Sequence, residues 1–520
     1  MAAGELKSGP GFRGLKLELA VVAGFLGTVA ECTDLSINWE AKVLGVTTDS
    51  RRAGPGELFV ALKGEKFDGH DFVGRAFEAG AMAAVVAEGF QVKPKCGPLI
   101  RVKDTQVAFG NLARQVRRLV NPKVVAVTGS VGKTTVKDLL SSIFEQASGK
   151  GELKPSGQTN LTDCGRLDQA DDSNGPKVLS SYGNFNNHVG LPLTLLAMGP
   201  QTKLAVVELG ANHHGEIADL TSICEPDVGI VTAIGEAHLE FFGDLEKVAQ
   251  AKGELYRGLK PSAAAVVNIE EPLLKNQAEG FGGRKIFFGS RGTGADVEVE
   301  KIKDLGFGGQ RLAFSGALLG QRAPTVDLAL FGDHNTLNAA AAAATALAAG
   351  INWEDIVGGL AKAKPAPGRI NPAISPSGIW VLDDTYNANP TSTAAGLKFI
   401  GQLESAKGAV LGDMMELGDQ AEQFHCEIGE LAFNNGLDRL AVVGPLARLA
   451  GEAAQKAGMP GQRVAFFDDP HSAALWMAGQ LGAGSAVLIK GSRAMAMEQA
   501  VAVFFSNQNL GPWADGQRNG

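Results

Sequence analysis

Residues 124–140 read VVAVTGSVGKTTVKDLL: an apolar β-type run, a loop of small residues ending in Gly-Lys-Thr-Thr, and then a helical pattern. Gly129, Ser130, Val131 and Gly132 can curl so that several backbone N–H groups converge on one anion, and the helix N-terminus behind them adds a partial positive charge. Lys133 then offers a point charge for the β- and γ-phosphates, the Thr134 hydroxyl a donor for Mg²⁺, and Thr135 completes the run. The chemistry in view is phosphoryl transfer from a nucleoside triphosphate. The usual eight-residue form of such a loop has glycine where this chain has Val127, so the loop is the shortened Thr-Gly-x-x-Gly-Lys-Thr-Thr. The bland alternative is a strand-to-helix turn with an incidental lysine, and the apolar run before it and helical run after it argue against that.

Other side chains with chemical potential follow strand-like runs. KLAVVELGANHHGEI delivers Glu208 at the end of an apolar strand, where it either completes a magnesium site with Thr134 or caps the next helix. His213 and His214 read as polar loop residues and only weak candidates for a general base. His238 lies just past the next strand and is either a cation ligand or an ordinary histidine. Spacing alone gives Lys252, in Ala-Gln-Ala-Lys-Gly, no special role. Asn335 and Asn338 open an Ala-rich helix, as nucleotide contacts or as cap residues. Arg369 in PAPGRI and Asp383, Asp384 and Asn387 in VLDDTYNANPTS stand where two strand–helix regions meet, which suits a ligand held in a cleft between domains, or simply a solvated linker.

The elements that must position these residues fall into three segments within 520 residues. Residues 1–122 read as a small α/β domain, with a strand at Leu58–Leu62 and a helix running into a short strand in AFEAGAMAAVVAE. Residues 123–364 alternate apolar β-rich runs with helices, the pattern of a P-loop ATPase domain built on a mostly parallel sheet whose ligands bind at the carboxyl ends of its strands. Residues 365–520 repeat that alternation as a separate Rossmann-like, doubly wound domain, after a Pro- and Gly-marked linker that reads as a hinge. The fold class is therefore α/β in three domains. Residues 149–176, polar and without periodicity, read as a mobile insertion.

Composition narrows the partners. A formal net charge of −8 argues against a nucleic-acid-binding surface, and 68 glycines fit the many turns of α/β loops. Five scattered cysteines (Cys32, Cys96, Cys164, Cys224 and Cys426) without metal-ligand spacing read as reduced thiols. The opening residues lack signal-peptide anatomy and the apolar run Leu19–Ala30 is too short to cross a bilayer, so the expectation is a cytoplasmic protein without membrane insertion.

Taken together these residues resemble the Mur ligases, the ATP-dependent amide-forming enzymes of peptidoglycan precursor synthesis. The resemblance runs through DSR, LFVALKG and DGHDF, then TGSVGKTT, GNFNNHVGLPLTLL, ELGANHHGEI and AHLEFFG, and on to HNTLNAAAA, PAPGR, DDTYNANPTS, LGDMMELG and KGSRAMAMEQ. The loop with Val127 is the form this family uses. The resemblance implies that Lys133 and Thr134 hold the ATP phosphates and a first Mg²⁺, that Glu208 and His238 are further metal ligands, and that Lys252 carries a carbamate positioning a second Mg²⁺. It implies nucleotide contacts from Asn335, Arg369 and Asp384. It also implies a UDP-sugar site in the first domain at Asp49, Ser50 and Arg51, with Asn186 and Asn187 near the substrate. Absence of Asp-Asn-Pro-Arg, together with GNFNN, ELGAN, YNANP and GDMMELG, favours members that join D-alanyl-D-alanine to UDP-N-acetylmuramoyl-tripeptide. The expected state is a monomer. Two alternatives stand beside this. One is a sibling adding meso-diaminopimelate or L-lysine; the other is a P-loop nucleotide switch, which predicts an Asn-Lys-x-Asp run that the chain lacks.

Overall fold

The computed structural model describes residues 16–26, 38–64, 67–91, 97–149, 176–235, 239–320 and 323–506. The expected insertion, apart from its ends, and Cys32, Cys96 and Cys164 lie outside the described residues.

Three principal sheets each draw strands from one stretch of chain. The first is four-stranded and parallel: Gly45–Thr47, Glu57–Val60, Ala83–Ala87 and Leu99–Val102, in chain order. Its second strand stops two residues short of the sequence expectation. Ala61 still donates its N–H to the Val85 carbonyl at 2.9 Å, but the Leu62 carbonyl accepts Gly69 N–H at 2.8 Å and turns the chain away. The following helix, Thr105–Val120, is capped by the Asp104 carboxylate, which accepts Val107 N–H at 2.9 Å. Its buried Arg117 donates to the Cys224 and Glu225 carbonyls at 3.0 and 2.9 Å and to Asp227 at 3.1 Å, tying this helix to the next unit.

The central sheet has nine strands. From one edge they run Val178–Ser180, Leu204–Glu208, Lys123–Thr128, Val228–Val231, Ala264–Asn268, Arg284–Ser290 and Val297–Asp304, all parallel. Gln310–Ser315 and Thr325–Leu328 then add antiparallel at the far edge. Both faces are covered, so the inner strands are apolar throughout rather than alternating. On one face Val125, Val127 and Ile230 pack against the helices Lys133–Gly149, His334–Ala348 and Trp353–Lys362. On the other, Ala126 and Val207 share a core with the helix Thr105–Val120.

The third sheet is six-stranded, ordered Asn371–Ile374, Trp380–Asp384, Ala486–Lys490, Lys407–Gly412, Arg439–Val443 and Val464–Phe467, with only the first strand antiparallel. Leu397, Ile428 and Ala447 cover one face and Ala473, Met477 and Val503 the other, the doubly wound arrangement that the strand–helix alternation implies. This sheet is docked on the central one by aromatic contacts. Phe307 stacks on Trp380 with centroids 3.7 Å apart, and Phe331 meets Phe399 at 5.6 Å. Asp333 pairs with Lys301 at 2.7 Å and with Lys398 at 3.3 Å.

Cys224 and Cys426 are free thiols, and burial pushes Cys224 up to about 12, so it is an inert apolar filler. Beside it, burial alone would raise the Glu225 carboxyl, but Arg118 and Lys260 outweigh burial and hold it down to about 2. Because the folded state prefers the ionised form, its stabilisation is present above about pH 4.5 and is lost as pH falls toward 2. Thermal unfolding of wild type and Glu225→Gln should therefore differ at pH 6 and converge near pH 2. A constant gap across that window would remove Glu225 as a source of acid lability.

Candidate active site

The phosphate loop is built by two glycines in left-handed or near-extended positive-φ backbone, where any side chain would be strained. Gly129 has φ 142°, and a Cβ there would lie 2.2 Å from the Thr232 hydroxyl; Gly132 has φ 83°, and a Cβ would lie 2.6 Å from the Asn338 side-chain oxygen. The loop is thus clasped between the next strand and the Ala-rich helix. Ser130 is buried with its hydroxyl unpartnered, and Lys133 folds back to donate to the carbonyls of Gly129 at 2.7 Å and Ser130 at 3.2 Å. Desolvation lowers the Lys133 pKa, opposed by Glu208 and reinforced by Arg369. An orphaned hydroxyl and an ammonium held by carbonyls alone fit an anion.

Strand register places the acid. Glu208 stands opposite Val127 in the parallel pair, two residues before Gly129, and is 3% exposed. One carboxylate oxygen accepts the Thr134 hydroxyl at 3.0 Å and the other accepts the Asn186 amide at 3.0 Å. The helix-cap alternative for Glu208 does not hold. Glu254 has that task, accepting Gly215 N–H at 2.7 Å and Ala218 N–H at 3.1 Å at the start of the helix Glu216–Cys224. Among the described residues no three His, Cys, Asp or Glu side chains cluster as a metal cage. Two buried hard oxygens on Thr134 and Glu208 nevertheless fit Mg²⁺, which keeps several of its own waters. His238 lies outside the described residues.

Lys252 is 2% exposed on the helix Leu245–Gly258. Its ammonium donates to the Ala211 carbonyl at 3.0 Å and sits 5.4 Å from the Phe242 ring centroid. Burial first, and the like charge of Lys133 second, bring it down to about 7 against the pull of Glu216 and Glu254. His213 and His214 line the same loop but remain largely exposed against Phe241 and Phe242.

The third sheet brings Arg369 and Asp384. Arg369 donates to the Thr134 hydroxyl at 3.0 Å, with its guanidinium 4.3 Å over the Tyr386 ring. Asp384 is paired in register with Lys490, and their buried side chains meet at 2.7 Å; Lys490 also donates to the Asn387 carbonyl at 2.9 Å. Burial raises the Asp384 pKa against the pull of Lys490. Asp384 is therefore engaged within its own sheet, and the group that crosses to the phosphate loop is Arg369. Asn335 is similarly occupied: its amide donates to the Phe331 carbonyl at 2.7 Å and its oxygen accepts from Asn338 at 2.8 Å. Thr135, Asn335 and Arg369 line a groove beside the loop with Leu330 and Pro365.

The remaining sequence candidates are not drawn into this cluster by the bonds they make. Asp49 and Arg51 pair with each other at 2.7 Å, Ser50 is buried, and the Asn187 oxygen accepts the N–H groups of Val189 and Gly190 at 3.1 and 2.9 Å. Lys490, Tyr386 and Glu254 are components that sequence reasoning passed over. Lys490 was legible only as the last residue of a strand-like run, VLIK, a position where a parallel sheet meets its ligands.

Comparison with known proteins agrees with this geometry. Residues 42–123 match the Mur ligase family catalytic domain, 127–346 the Mur ligase middle domain, and 368–493 the Mur ligase glutamate ligase domain. The UDP-N-acetylmuramoyl-tripeptide–D-alanyl-D-alanine ligase of Escherichia coli is 36% identical over 92% of this chain and 98% of its own. The Bacillus subtilis ligase of the same name is 34% identical over 88% and 92%. A crystal structure of MurF from Acinetobacter baumannii superposes with a TM-score of 0.80 at 31% identity over 94% of this chain and 98% of that one. MurF ligase from Thermotoga maritima in complex with ADP gives a TM-score of 0.73 at 29% identity over 88% and 96%. With three ordered domain matches and relatives of this identity over nearly its whole length, the chain belongs to the Mur ligase family.

Proposed function

We propose that this chain is the ATP-dependent ligase that joins D-alanyl-D-alanine to UDP-N-acetylmuramoyl-tripeptide, in the cytoplasm, during peptidoglycan precursor synthesis. The observation that carries the reading is the meeting of Lys133, Thr134, Glu208 and Arg369, from two different sheets, at one phosphate loop. In this reading residues 1–122 hold the UDP sugar, with Asp49, Ser50 and Arg51 at its site and Asn186 and Asn187 near the peptide. Residues 123–364 hold ATP, and residues 365–520 bring the acceptor.

The reaction is two displacements. The terminal carboxylate of the tripeptide attacks the γ-phosphate, giving an acyl phosphate and ADP; the amine of D-alanyl-D-alanine then attacks the acyl carbon and phosphate leaves. Lys133 and Arg369 neutralise charge as two anions approach, and the loop N–H groups fix the triphosphate, so catalysis is mainly positioning and electrostatics. Thr134 would hold the first Mg²⁺, Glu208 and His238 would be further metal ligands, and a carbamate on Lys252 would serve a second ion. When bound, the cations screen the phosphate oxygens and polarise the transferred group. Lys252 suits carbamylation because the neutral amine is the form that takes up CO₂, and burial brings it to about 7. Carbamylation turns a repelling ammonium into an anionic oxygen donor.

The test offers D-alanyl-D-alanine, meso-diaminopimelate and L-lysine in parallel with the muramoyl tripeptide and ATP. Phosphate release and amide product should need the tripeptide and appear with D-alanyl-D-alanine alone. Equal turnover with either single amino acid would move the chain to a sibling activity, and ATP hydrolysis without any muramoyl peptide would end the ligase reading.

A further inference from the structure

The linker between the central and third sheets carries a backbone conformation that its residue type disfavours. Ile370 lies in the left-handed region at φ 47°. There the Cβ crowds the carbonyl oxygen, and a β-branched residue is a true outlier. It is 5% exposed and directly precedes Asn371, the first residue of the third sheet, so its dihedral angles set the direction in which that sheet departs.

Everything around Ile370 holds it in this state. Its N–H lies near enough to the Asp384 carboxyl to favour the ionised form of that acid, and Asp384 is itself clamped by Lys490 at 2.7 Å. Two residues earlier Gly368 is also left-handed, at φ 73°, and its carbonyl accepts Tyr386 N–H at 3.0 Å. Arg369, between the two, lies over Tyr386 and reaches Thr134 at 3.0 Å. Turning Ile370 to negative φ would redirect the chain on one side of it and so pull against the bond between the Gly368 carbonyl and Tyr386 N–H. The strained residue, the buried ion pair and the cation at the phosphate loop form one mechanical unit.

We propose that Ile370 is a positioning residue for the nucleoside triphosphate, a strained hinge whose left-handed state aims Arg369 at Thr134 and whose relaxation to negative φ releases it. Strain at Ile370 lowers the cost of release, and a triphosphate gripped by Arg369 draws the hinge back. This deepens the ligase reading above and rests on its ATP site.

The informative comparison is Ile370→Gly against Ile370→Ala. Both remove the packing beyond Cβ, but only alanine keeps the atom that makes the left-handed state unfavourable. Glycine's extra freedom in the released state offsets part of the difference, leaving about a five-fold effect. Calorimetric titration of the full-length protein with a non-hydrolysable ATP analogue and Mg²⁺ should show the glycine variant binding about five-fold more tightly than the alanine variant. KM for ATP should fall by a similar factor while kcat does not rise, and small-angle scattering of the ligand-free glycine variant should lie nearer the analogue-bound curve. A purely structural role would move the unfolding temperature without this split. Equal affinities with equal scattering, or tighter binding by alanine, would overturn the proposal. If both small variants unfold, Ile370→Asn against Ile370→Leu repeats the comparison, since asparagine tolerates the left-handed region and leucine does not. Wild-type protein that fails to bind the analogue would refute the ATP site itself, whereas equal binding by all variants refutes only the hinge.

Discussion

Lys133→Ala is expected to lower kcat by about 10³-fold, with a much smaller loss in affinity for an ATP analogue. The ammonium is held by two loop carbonyls and partly stripped of water, so its pKa is lowered by burial. A triphosphate arriving at the loop gives that ammonium the anionic partner it lacks, and the interaction strengthens as charge gathers on the transferred group. A contact that tightens toward the transition state raises kcat, whereas one of equal strength in both states changes only KM. Lys133→Arg should recover little of the loss, because a planar fork does not fit the cradle of Gly129 and Ser130 carbonyls that a compact ammonium fills. The measurement is steady-state phosphate release with both substrates, alongside calorimetric binding of the analogue. A variant within ten-fold of wild type would show that Lys133 only decorates the loop.

The second large effect is expected at Lys252. Lys252→Ala should lower turnover by about 10²-fold or more while the ATP analogue still binds, and short carboxylic acids such as formate or acetate should restore part of the activity. The geometry is the reason. Lys252 is sealed against Phe242 and the Ala211 carbonyl, and Glu216 and Glu254 stand close enough to act on its charge. Simple loss of a buried ammonium would not be repaired by an added anion, whereas loss of a carbamate oxygen would be. Lys252→Arg should remain inactive, since a guanidinium keeps its charge and takes up no CO₂. Full activity in the alanine variant, or inactivity that no carboxylic acid relieves, would count against a carbamate there.

The sequence made the architecture readable because each sheet announces itself locally. Runs such as VVAVT and LAVVE are too apolar for surface elements and too short for helices; the first leads into the phosphate loop and the second ends in Glu208. The site was legible as far as strand order allowed. Glu208 could be placed at the end of a strand, but only the register opposite Val127 shows that it reaches Thr134. Periodicity and spacing gave Lys252 no signal, since its burial depends on Phe242 and on a loop 41 residues away, and only the family resemblance pointed to it. The partner of Asp384 was hidden for the same reason, because Lys490 lies 106 residues further on and becomes its neighbour only when two parallel strands align. Asn335 shows another limit: its type suggested a nucleotide amide, and only the fold shows that the amide also bonds Phe331 and Asn338 while the residue lines the groove beside the loop.

Because the strands of the three principal sheets come from successive, non-overlapping lengths of chain, these layers can mature one after another as the polypeptide leaves the ribosome, at about 5–20 residues per second. The nucleotide cradle is then complete in its glycines and lysine well before Arg369 is synthesised. A chain halted in translation before that point would present a phosphate loop without the cation that crosses to it, so the capacity to join two substrates is among the last properties the nascent protein acquires.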